Sequence, residues 1–376
     1  MNLAVSLRFF ILNISLGLSL FLLTSCTQNF SGGMLNMTVI QPAGANCKYK
    51  VGAAPIYTLD SLTEMRGLLG KVVYHPEDLE NDPQTLDLGK GFLPLDLRFA
   101  GSGNNFGPLD KSSLMAASLY YSIEKGYFLF KNLDPAGDLV NLVPNLRDTL
   151  IVQEAKITSI PEEGKNLSDN AAYLQMDGDG GLRNYFLSFP NQDISTIPLN
   201  FNVGVMVHEF AHMVTQYLFH LRRSEAGKNL YGESENTLSA FDEGNSDYFA
   251  FLATKDPAFF HCSFPGGLDR DLSHPKYLTS QQAQAIKTSL DFDSHEGGAI
   301  WASVQYQIGE IIGHEENGKS LIGFLSRLAS CTGLSSSSSR VTFGTLANCH
   351  LQSLGSRATP QIQQIYQNAF NNAGRN

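Results

Sequence analysis

The segment VMVHEFAHMV, residues 205–214, carries two histidines and a glutamate within an otherwise apolar run. Buried polar groups are costly without partners, so these side chains require one. On an α-helix, His208 and His212 lie on one face, about 6 Å apart along the axis, and two imidazoles at this spacing can bind one metal ion. With Glu209 beside the first histidine, this is the H-E-x-x-H pattern, in which zinc is bound and the glutamate is the general base. The alternative is an ordinary helix whose histidines only cap or pair.

A third ligand is required, because a catalytic zinc usually takes three protein ligands and leaves one position for water. The metzincin continuation of the motif needs a glycine and a histidine where this chain has Thr215 and Leu218. His220 lies about 12 Å beyond His212 on the same helix, too far to share the ion. Neither possibility supplies the third ligand.

An acidic pair in SAFDEGNSDYFAF, residues 239–251, is the better candidate. Glu243 and Asp247 are four residues apart, on one face of a predicted helix that is otherwise lined by aromatic residues. We predict that Glu243 is the third zinc ligand and that Asp247 accepts a hydrogen bond from the far ring nitrogen of His208. A solvated acidic face is the alternative, although DYFAF makes this face difficult to solvate.

H-E-F-A-H followed after thirty residues by E-G-N-S-D resembles the gluzincin metallopeptidases, and within them thermolysin and especially fungalysin relatives. The resemblance covers about residues 110–372 and implies a two-lobed, zincin-like fold with the active-site helix along a cleft. It implies that Asn170 and Ala171, in NAAYLQM, hold an extended substrate at an edge strand. It also implies that His295, in HEGGAIWASVQYQI, helps to stabilise the oxyanion. A plain loop histidine is the alternative for His295.

The chain also departs from this family. The interval between His212 and Glu243 is longer than in thermolysin, which indicates an inserted loop that shapes the cleft. Tyr231 is the candidate for the family's tyrosine. DGDGG, residues 177–181, could bind calcium, but it lacks the later glutamate of an EF-hand, so a tight turn is favoured.

GHEENGKS, residues 313–320, matches the phosphate-binding P-loop pattern literally, with Lys319 on the phosphates. A P-loop requires a buried strand before it, whereas AIWASVQYQIGEII has the apolar spacing of a helix. A turn between two helices, with Ser320 as the N-cap of the second, explains the same letters. We therefore predict no nucleotide partner.

The predicted elements indicate an α+β protein. A helix is expected over 112–133, strands over 149–160, 170–176 and 183–190, and helices around 240–254, 298–312, 320–330 and 359–372. Strands first and helices later, with the histidine pair at the junction, predict two lobes around a cleft. The expected division is a β-rich N-terminal lobe with the H-E-x-x-H helix over 55–220 and a mainly helical C-terminal lobe over 221–376.

The N-terminus has the pattern of a targeting segment. Arg8 precedes the apolar run FFILNISLGLSLFLL, which is short for a membrane span and suits a secretory signal. LTSC resembles a bacterial lipobox, which implies a signal peptide over 1–25 and a lipid on Cys26. A cleaved signal with an unmodified cysteine is the alternative. Because Thr27 rather than an aspartate follows, the outer membrane is favoured over the inner. Residues 26–54 are rich in Ser, Gly, Asn and Thr, which suits a tether.

The bulk composition narrows the classes of partner and compartment. A net charge of −10 over 376 residues, without a Lys/Arg cluster in the sequence, argues against a nucleic-acid partner. Four cysteines follow Cys26 and can form disulfides outside the cytoplasm. Cys331 with Cys349 is the preferred bridge, and pairing of Cys47 with Cys262 is left open.

These observations together predict a zinc-dependent endopeptidase that is anchored to the bacterial envelope and hydrolyses peptide or protein substrates. His208, His212 and Glu243 would hold zinc, and Glu209 would move the proton of the attacking water. The alternative from another class is a zinc-containing, peptide-binding or structural lipoprotein without turnover.

Overall fold

The structure is a computed structural model that describes residues 33–44, 47–75, 91–134, 143, 145–154, 171–178, 181–188, 197–223, 233–264, 270–289, 292–332 and 340–371. The protein is α+β, with a sheet-rich N-terminal region and a helical C-terminal region, as predicted. The predicted signal peptide and Cys26 lie outside the described residues. In the part of the chain that is described, no helix is both long and apolar enough to cross a membrane.

A four-stranded sheet begins the described chain. Its strands are β1 (Leu35–Pro42), β2 (Tyr49–Ile56), β7 (Phe99–Ser102) and β8 (Asn105–Pro108), in the order β2-β1-β8-β7. β1 and β2 pair antiparallel over their full lengths, and β1 buries every second residue of its first half. The prediction of a tether over 26–54 is therefore wrong for β1 and for the first part of β2, which belong to this sheet. Leu35, Met37 and Val39 have the alternation of a half-buried strand, which the polar composition around them concealed.

A seven-stranded sheet follows, in the order β10-β11-β9-β5-β4-β3 with β6 paired to β5. Its strands are β3 (Leu59–Ser61), β4 (Arg66–Gly67), β5 (Gly70–Tyr74), β6 (Leu93–Pro94), β9 (Leu150–Gln153), β10 (Ala171–Gly178) and β11 (Gly181–Ser188). The last three confirm the predicted strands within the described residues. Gly178 pairs with Gly181 at the end of the ladder between β10 and β11. Residues 179 and 180 lie outside the described residues, so the predicted tight turn stays a prediction.

Nine α-helices lie among the described residues, and they include the predicted ones, except that the single helix expected around 320–330 is divided between two helices. They are α1 (Lys111–Leu133), α2 (Val203–Arg223), α3 (Glu233–Thr254), α4 (Ser280–Thr288), α5 (Ser294–Ile312), α6 (His314–Leu325), α7 (Leu328–Thr332), α8 (Phe343–Leu354) and α9 (Pro360–Phe370). α1 packs against β1 and β8 of the four-stranded sheet and against β5 and β9 of the seven-stranded sheet. Its first turn is capped by Asp110, which accepts a hydrogen bond from the Ser113 amide at 2.7 Å.

The segment that matches the P-loop pattern is helical. Gly313, with φ 92°, ends α5, and α6 begins at the next residue. Ser320 lies inside α6, so its prediction as an N-cap is wrong. Lys319 forms ion pairs with Glu315 and Glu316, each at 2.9 Å, one turn back along the helix. Since α5 precedes this segment in place of a strand, it does not form a P-loop.

Two disulfides cross-link the fold, one between consecutive helices and one between segments that are far apart in the sequence. Cys331 and Cys349 join α7 to α8, which confirms the preferred bridge. Cys47 and Cys262 join the β1–β2 connection to a 3₁₀ turn, Phe259–Cys262, across 215 residues of sequence. The longer cross-link removes more freedom from the unfolded chain and stabilises the fold by about 2–4 kcal/mol or more.

Close helix packing holds α2, the helix that carries the histidine pair. Phe210 of α2 lies between Phe130 of α1 and Phe186 of β11, with both pairs of ring centroids 5.9 Å apart. Gly126 lies in the interior of α1, where a glycine lowers helix stability. In the structure, a Cβ at Gly126 would lie 2.8 Å from the Phe210 ring, so the glycine permits the contact between α1 and α2.

We expect Gly126→Ala to destabilise the protein by about 1–3 kcal/mol, because the added methyl group overlaps Phe210 and must displace α2. The midpoint of urea denaturation measures the change. Gly323→Ala in α6 is the matched control, since its nearest neighbour would be Ser353 Oγ at 3.6 Å. That change should stabilise the protein by about 0.5–1 kcal/mol through helix propensity. Equal effects at both positions would contradict the close-packing explanation.

Candidate metal centre

α2 and α3 pack side by side and present the polar residues of the two motifs to each other. α2 starts beyond Asn202, whose Oδ1 accepts hydrogen bonds from the amides of Gly204 at 3.0 Å and Val205 at 3.4 Å. His208 and Glu209 are each only 6% exposed. Buried polar side chains at this density require specific partners, and α3 supplies those of the histidines.

Three side chains converge on one point. The Nε2 atoms of His208 and His212 are 2.9 Å apart. Glu243 Oε2 lies 3.3 Å from His208 Nε2, and its Oε1 lies 3.7 Å from His212 Nε2. These residues form a group of ligand atoms that could hold a metal ion.

The opposite nitrogen of each histidine faces a carboxylate. Asp247 Oδ1 lies 3.0 Å from His208 Nδ1, which is the pairing that the sequence predicted. Asp242 Oδ2 lies 2.9 Å from His212 Nδ1. A carboxylate at Nδ1 fixes the ring with the proton on that nitrogen, which leaves the lone pair on Nε2.

The donor set fits a metal ion. Two Nε2 lone pairs that face each other repel unless a cation or a proton lies between them. Bonds of about 2.0–2.2 Å in a tetrahedral site separate neighbouring ligand atoms by about 3.3–3.6 Å. The three separations among the two Nε2 atoms and the Glu243 oxygens, 2.9, 3.3 and 3.7 Å, extend from just below this range to just above it. Glu243 Oε2 is also a buried oxygen without a hydrogen-bond donor among the described residues.

Glu209 stands outside the ligand group but lines the same cavity. Its Oε2 accepts a hydrogen bond of 2.7 Å from the amide of Tyr173 in the edge strand β10. The carboxylate is thus tied to the strand rather than to the histidines. This places a proton acceptor between the ligand cluster and the free edge of the sheet.

Arg270 is a buried cation of the site that the sequence did not predict. It is 2% exposed, and its guanidinium donates to both oxygens of Asp247, with the Nε bond at 3.0 Å. The same group lies 3.6 Å from Glu243 Oε2. Its other side lies over the Phe260 ring, 4.0 Å from the ring centroid. A buried cation that bridges two carboxylates reduces the cost of burying both.

His295 lies in the first turn of α5 rather than in a loop. Its Nδ1 and Asp293 Oδ1 are 2.9 Å apart, and its Nε2 lies 3.4 Å from Glu243 Oε2. α5 comes close to α3 because Gly244 and Gly298 meet, where a Cβ at Gly298 would lie 2.6 Å from Glu243 Cβ. The imidazole therefore reaches the edge of the ligand group while remaining partly exposed to the cavity.

The charges of the cluster shift its pKa values. Burial lowers the pKa of His212, but the carboxylates of Asp242 and Glu243 outweigh burial and raise this pKa to about 10. Burial raises the pKa of Glu243, but the facing rings, His212 first, bring it well below its usual range. Burial likewise raises the pKa of Asp247, and the Arg270 guanidinium reverses the effect and lowers it. Without an ion, the site therefore holds protonated histidine beside ionised carboxylates.

The cavity has a volume of about 350 Å³. It is lined by residues of β10, α2, α3 and α5, by Phe260 and by Arg270, including Ala171, Ala172, Tyr173, Val205, His208, Glu209, His212, Gln216, Asp242, Glu243 and His295. The structure thus brings together every predicted site residue that it describes. Asn170, Tyr231 and Cys26 lie outside the described residues, so their predicted roles stay predictions.

Asp242 and Arg270 are the functional residues that the sequence analysis missed. Asp242 directly precedes Glu243, and a search for a hydrogen-bond partner of the second histidine would have found it. Arg270 lies 23 residues beyond Asp247, in a segment without periodicity. Only the tertiary contacts identify it.

No protein-family profile matches this chain, and no curated protein matches its sequence significantly. The resemblance to gluzincins therefore rests on the sequence motifs alone.

Metal binding is expected to release protons. An ion requires neutral imidazole, whereas the pKa of about 10 keeps His212 protonated at pH 7 in the ion-free protein. The apparent affinity for Zn²⁺ should therefore rise about tenfold per pH unit for each released proton and level off near pH 10. Calorimetric titration in two buffers of different ionisation enthalpy counts the protons. Asp242→Asn should release fewer of them, because it removes the carboxylate that raises the pKa. An affinity that is constant between pH 6.5 and 9 would contradict this linkage.

Proposed function

We propose that the protein is a zinc-dependent endopeptidase of the gluzincin type. The observation that carries the proposal is the convergence of three ligand atoms beside a separate buried carboxylate, Glu209, at the edge of a sheet. Histidine nitrogens and a glutamate oxygen are the ligands of a catalytic zinc site with an open position. A bound zinc ion would polarise the scissile carbonyl and acidify water.

Glu209 is the general base in this proposal. It lines the cavity with the ligands, and the Tyr173 amide holds its carboxylate at a fixed position. It accepts a proton from the attacking water and returns that proton to the leaving amine. The two proton transfers need one carboxylate within reach of both atoms, and the position of Glu209 in the lining of the cavity supports this role.

The edge of β10 is the proposed substrate platform. β10 pairs with β11 on one side and ends the seven-stranded sheet on the other, among the described residues. A peptide in extended conformation can add to such an edge through its backbone. Ala171 begins this strand and lines the cavity, which supports its proposed role in substrate binding. Asn170 lies outside the described residues, and its proposed role rests on the sequence.

Arg270, Asp247 and Asp242 position the ligands. Asp247 and Asp242 orient the two imidazoles, and Arg270 fixes Asp247 through two hydrogen bonds. Metal affinity depends on such outer partners, whose loss typically weakens binding by about 10–100-fold.

Glu209→Gln is expected to retain the fold and the metal but to lose about 10²–10⁴-fold in peptidase rate, because the amide cannot accept the proton. Cleavage of casein and quenched peptides by the zinc-loaded protein measures the rate, and metal analysis measures occupancy. Glu235→Gln, at an exposed position of α3, is the matched control and should leave the rate unchanged.

A chelator should abolish cleavage, and added Zn²⁺ should restore it. Chelator-insensitive cleavage, or undiminished cleavage by the Glu209 variant, would refute the proposed mechanism. Absence of turnover on diverse substrates, with zinc bound, would instead support the alternative of a zinc-containing, peptide-binding lipoprotein.

His295→Ala is expected to lower kcat and kcat/KM together, by on the order of 2.7–4 kcal/mol of transition-state stabilisation. The physical reason is that His295 Nε2 would donate to the carbonyl oxygen only as negative charge develops there. Zinc content should be unchanged. His274→Ala is the control, because His274 is exposed and pairs with Asp271. Loss of zinc in the His295 variant would make His295 a ligand, and unchanged activity would remove it from the mechanism.

We further propose that the protein is exported and anchored to the bacterial envelope, with the outer membrane favoured, through a lipid on Cys26. The two disulfides support export, because such cross-links form and persist in oxidising compartments. The sequence around Cys26 supplies the lipobox.

Cys26→Ser should release the protein from membranes or leave it unprocessed, since the serine cannot carry the thioether-linked lipid. Cell fractionation reports the distribution, and mass spectrometry of the mature wild-type N-terminus should show an acylated cysteine. A free thiol on Cys26 would disprove the anchor.

A further inference from the structure

A second cavity, of about 450 Å³, opens on the seven-stranded sheet and shares no lining residue with the metal centre. Four of its nine lining residues are cationic, namely Arg66, Lys71, Arg147 and Arg183, and one, Asp148, is anionic. The chain as a whole carries a net charge of −10, so this concentration of positive charge is local. We call it the basic cavity.

The sheet register fixes two of these cations side by side. Arg66 and Lys71 are direct cross-strand partners in the hairpin of β4 and β5. The hairpin cannot shift to separate them, because Met65 and Leu69 on either side of β4 are fully buried. Like charges directly opposite each other destabilise an antiparallel pair. The fold therefore retains an unfavourable contact at this position.

The remaining two cations come from strand β11 and from a 3₁₀ turn. Lys71 pairs with Leu150, which pairs in turn with Tyr185, so these side chains share one face of the sheet. Arg183 is two residues from Tyr185 and lies on that face too. Arg147 comes from the short 3₁₀ turn that leads into β9. Three separate elements thus direct positive charge to one cavity.

The carboxylates that the structure describes near the basic cavity leave its positive charge incompletely neutralised. Arg66 pairs with Glu64 at 3.1 Å and Arg147 with Asp60 at 2.7 Å, and all four side chains are 40% exposed or more. Such exposed pairs contribute little and exchange readily for another anion. Lys71 and Arg183 form no ion pair with any residue that the structure describes.

We propose that the basic cavity binds a phosphate group. Arginine forks match phosphate oxygens bidentately, and a lysine adds a point charge, so this residue set suits a doubly charged oxyanion better than a neutral ligand. The volume lies in the range of small-molecule sites and exceeds that of a bare phosphate ion, which leaves space for the rest of a phosphorylated molecule. The phosphate could belong to a free phosphorylated compound or to a phospholipid headgroup.

The test compares anions at constant ionic strength with the full-length chain in uncharged detergent. The probes are inorganic phosphate, inorganic pyrophosphate, and micelles doped with phosphatidic acid or with phosphatidylcholine, and the readouts are Tm and calorimetric affinity. If free phosphate or pyrophosphate raises Tm above its value in chloride, the proposal is supported and the phosphate ligand is a soluble compound. A rise with phosphatidic acid alone supports it with a lipid source.

The double variant Lys71→Gln/Arg183→Gln should weaken phosphate binding at least tenfold. Without a ligand it should raise Tm by on the order of 1–2 °C, because it removes like-charge repulsion. A purely structural role for these cations predicts the opposite sign. Lys50→Gln, which neutralises an exposed lysine of β2 in the other sheet, should leave the affinity within about twofold.

Three results would overturn the proposal. They are the absence of any anion-specific rise in Tm, an equal loss of affinity in the Lys50 variant, and a fall in the Tm of the ligand-free double variant. The last result would show that the cations hold carboxylates of this chain instead of an external phosphate. Because the metal centre is not involved, failure of the proposed peptidase activity would leave these outcomes unchanged.

Discussion

The facing pair of imidazole nitrogens on α2 is the constraint on which the rest of the site depends. Each ring is held from behind by a carboxylate, so the lone pairs of His208 and His212 point at each other. That arrangement is unfavourable unless positive charge lies between the rings. In the ion-free protein a proton can supply it, which agrees with the raised pKa of His212. A metal ion could supply it too, because Glu243 adds a third ligand atom to the two ring nitrogens.

The cost of burying this much charge explains the surrounding residues. Two carboxylates behind the histidines, one ligand carboxylate and Glu209 would give a strongly negative cluster in a low dielectric. Arg270 offsets part of that charge from within, and Phe260 shields the guanidinium from solvent. The edge-strand amide of Tyr173 satisfies Glu209 without adding charge. The site is therefore a set of mutually dependent charges, and removal of one member leaves its neighbours uncompensated.

Packing at two glycine contacts brings the charged elements within reach of each other. Gly126 allows α1 to lie against Phe210, which brings α1 and α2 close together. The contact of Gly244 with Gly298 brings α5 to α3, and it places His295 beside Glu243. The disulfide from Cys47 to Cys262 secures the turn that carries Phe260. Glycine at these positions therefore sets distances within the site, although it contributes no side chain to the site.

The sequence by itself determined the elements whose signals are local. The H-E-x-x-H spacing, the four-residue spacing of Glu243 and Asp247, and the apolar periodicity of α1 each depend on one helix, and helical geometry relates sequence distance to position directly. The strand at Leu35–Pro42 was missed although its signal is local, because polar neighbours concealed the alternation. The same local reasoning wrongly placed an N-cap at Ser320.

Only the tertiary structure decided which distant residues meet. Arg270 contacts Asp247 from a segment without periodicity, and no spacing rule encodes that contact. The basic cavity needs the register of β4, β5, β9 and β11, so its four cations, scattered over more than a hundred residues, show no cluster in the sequence. Chain proximity is one-dimensional, whereas charge interactions depend on distance through space. Strand pairing and helix packing bring residues that are distant in sequence close together in space. For that reason the charge clusters of this protein could be identified only from the tertiary structure.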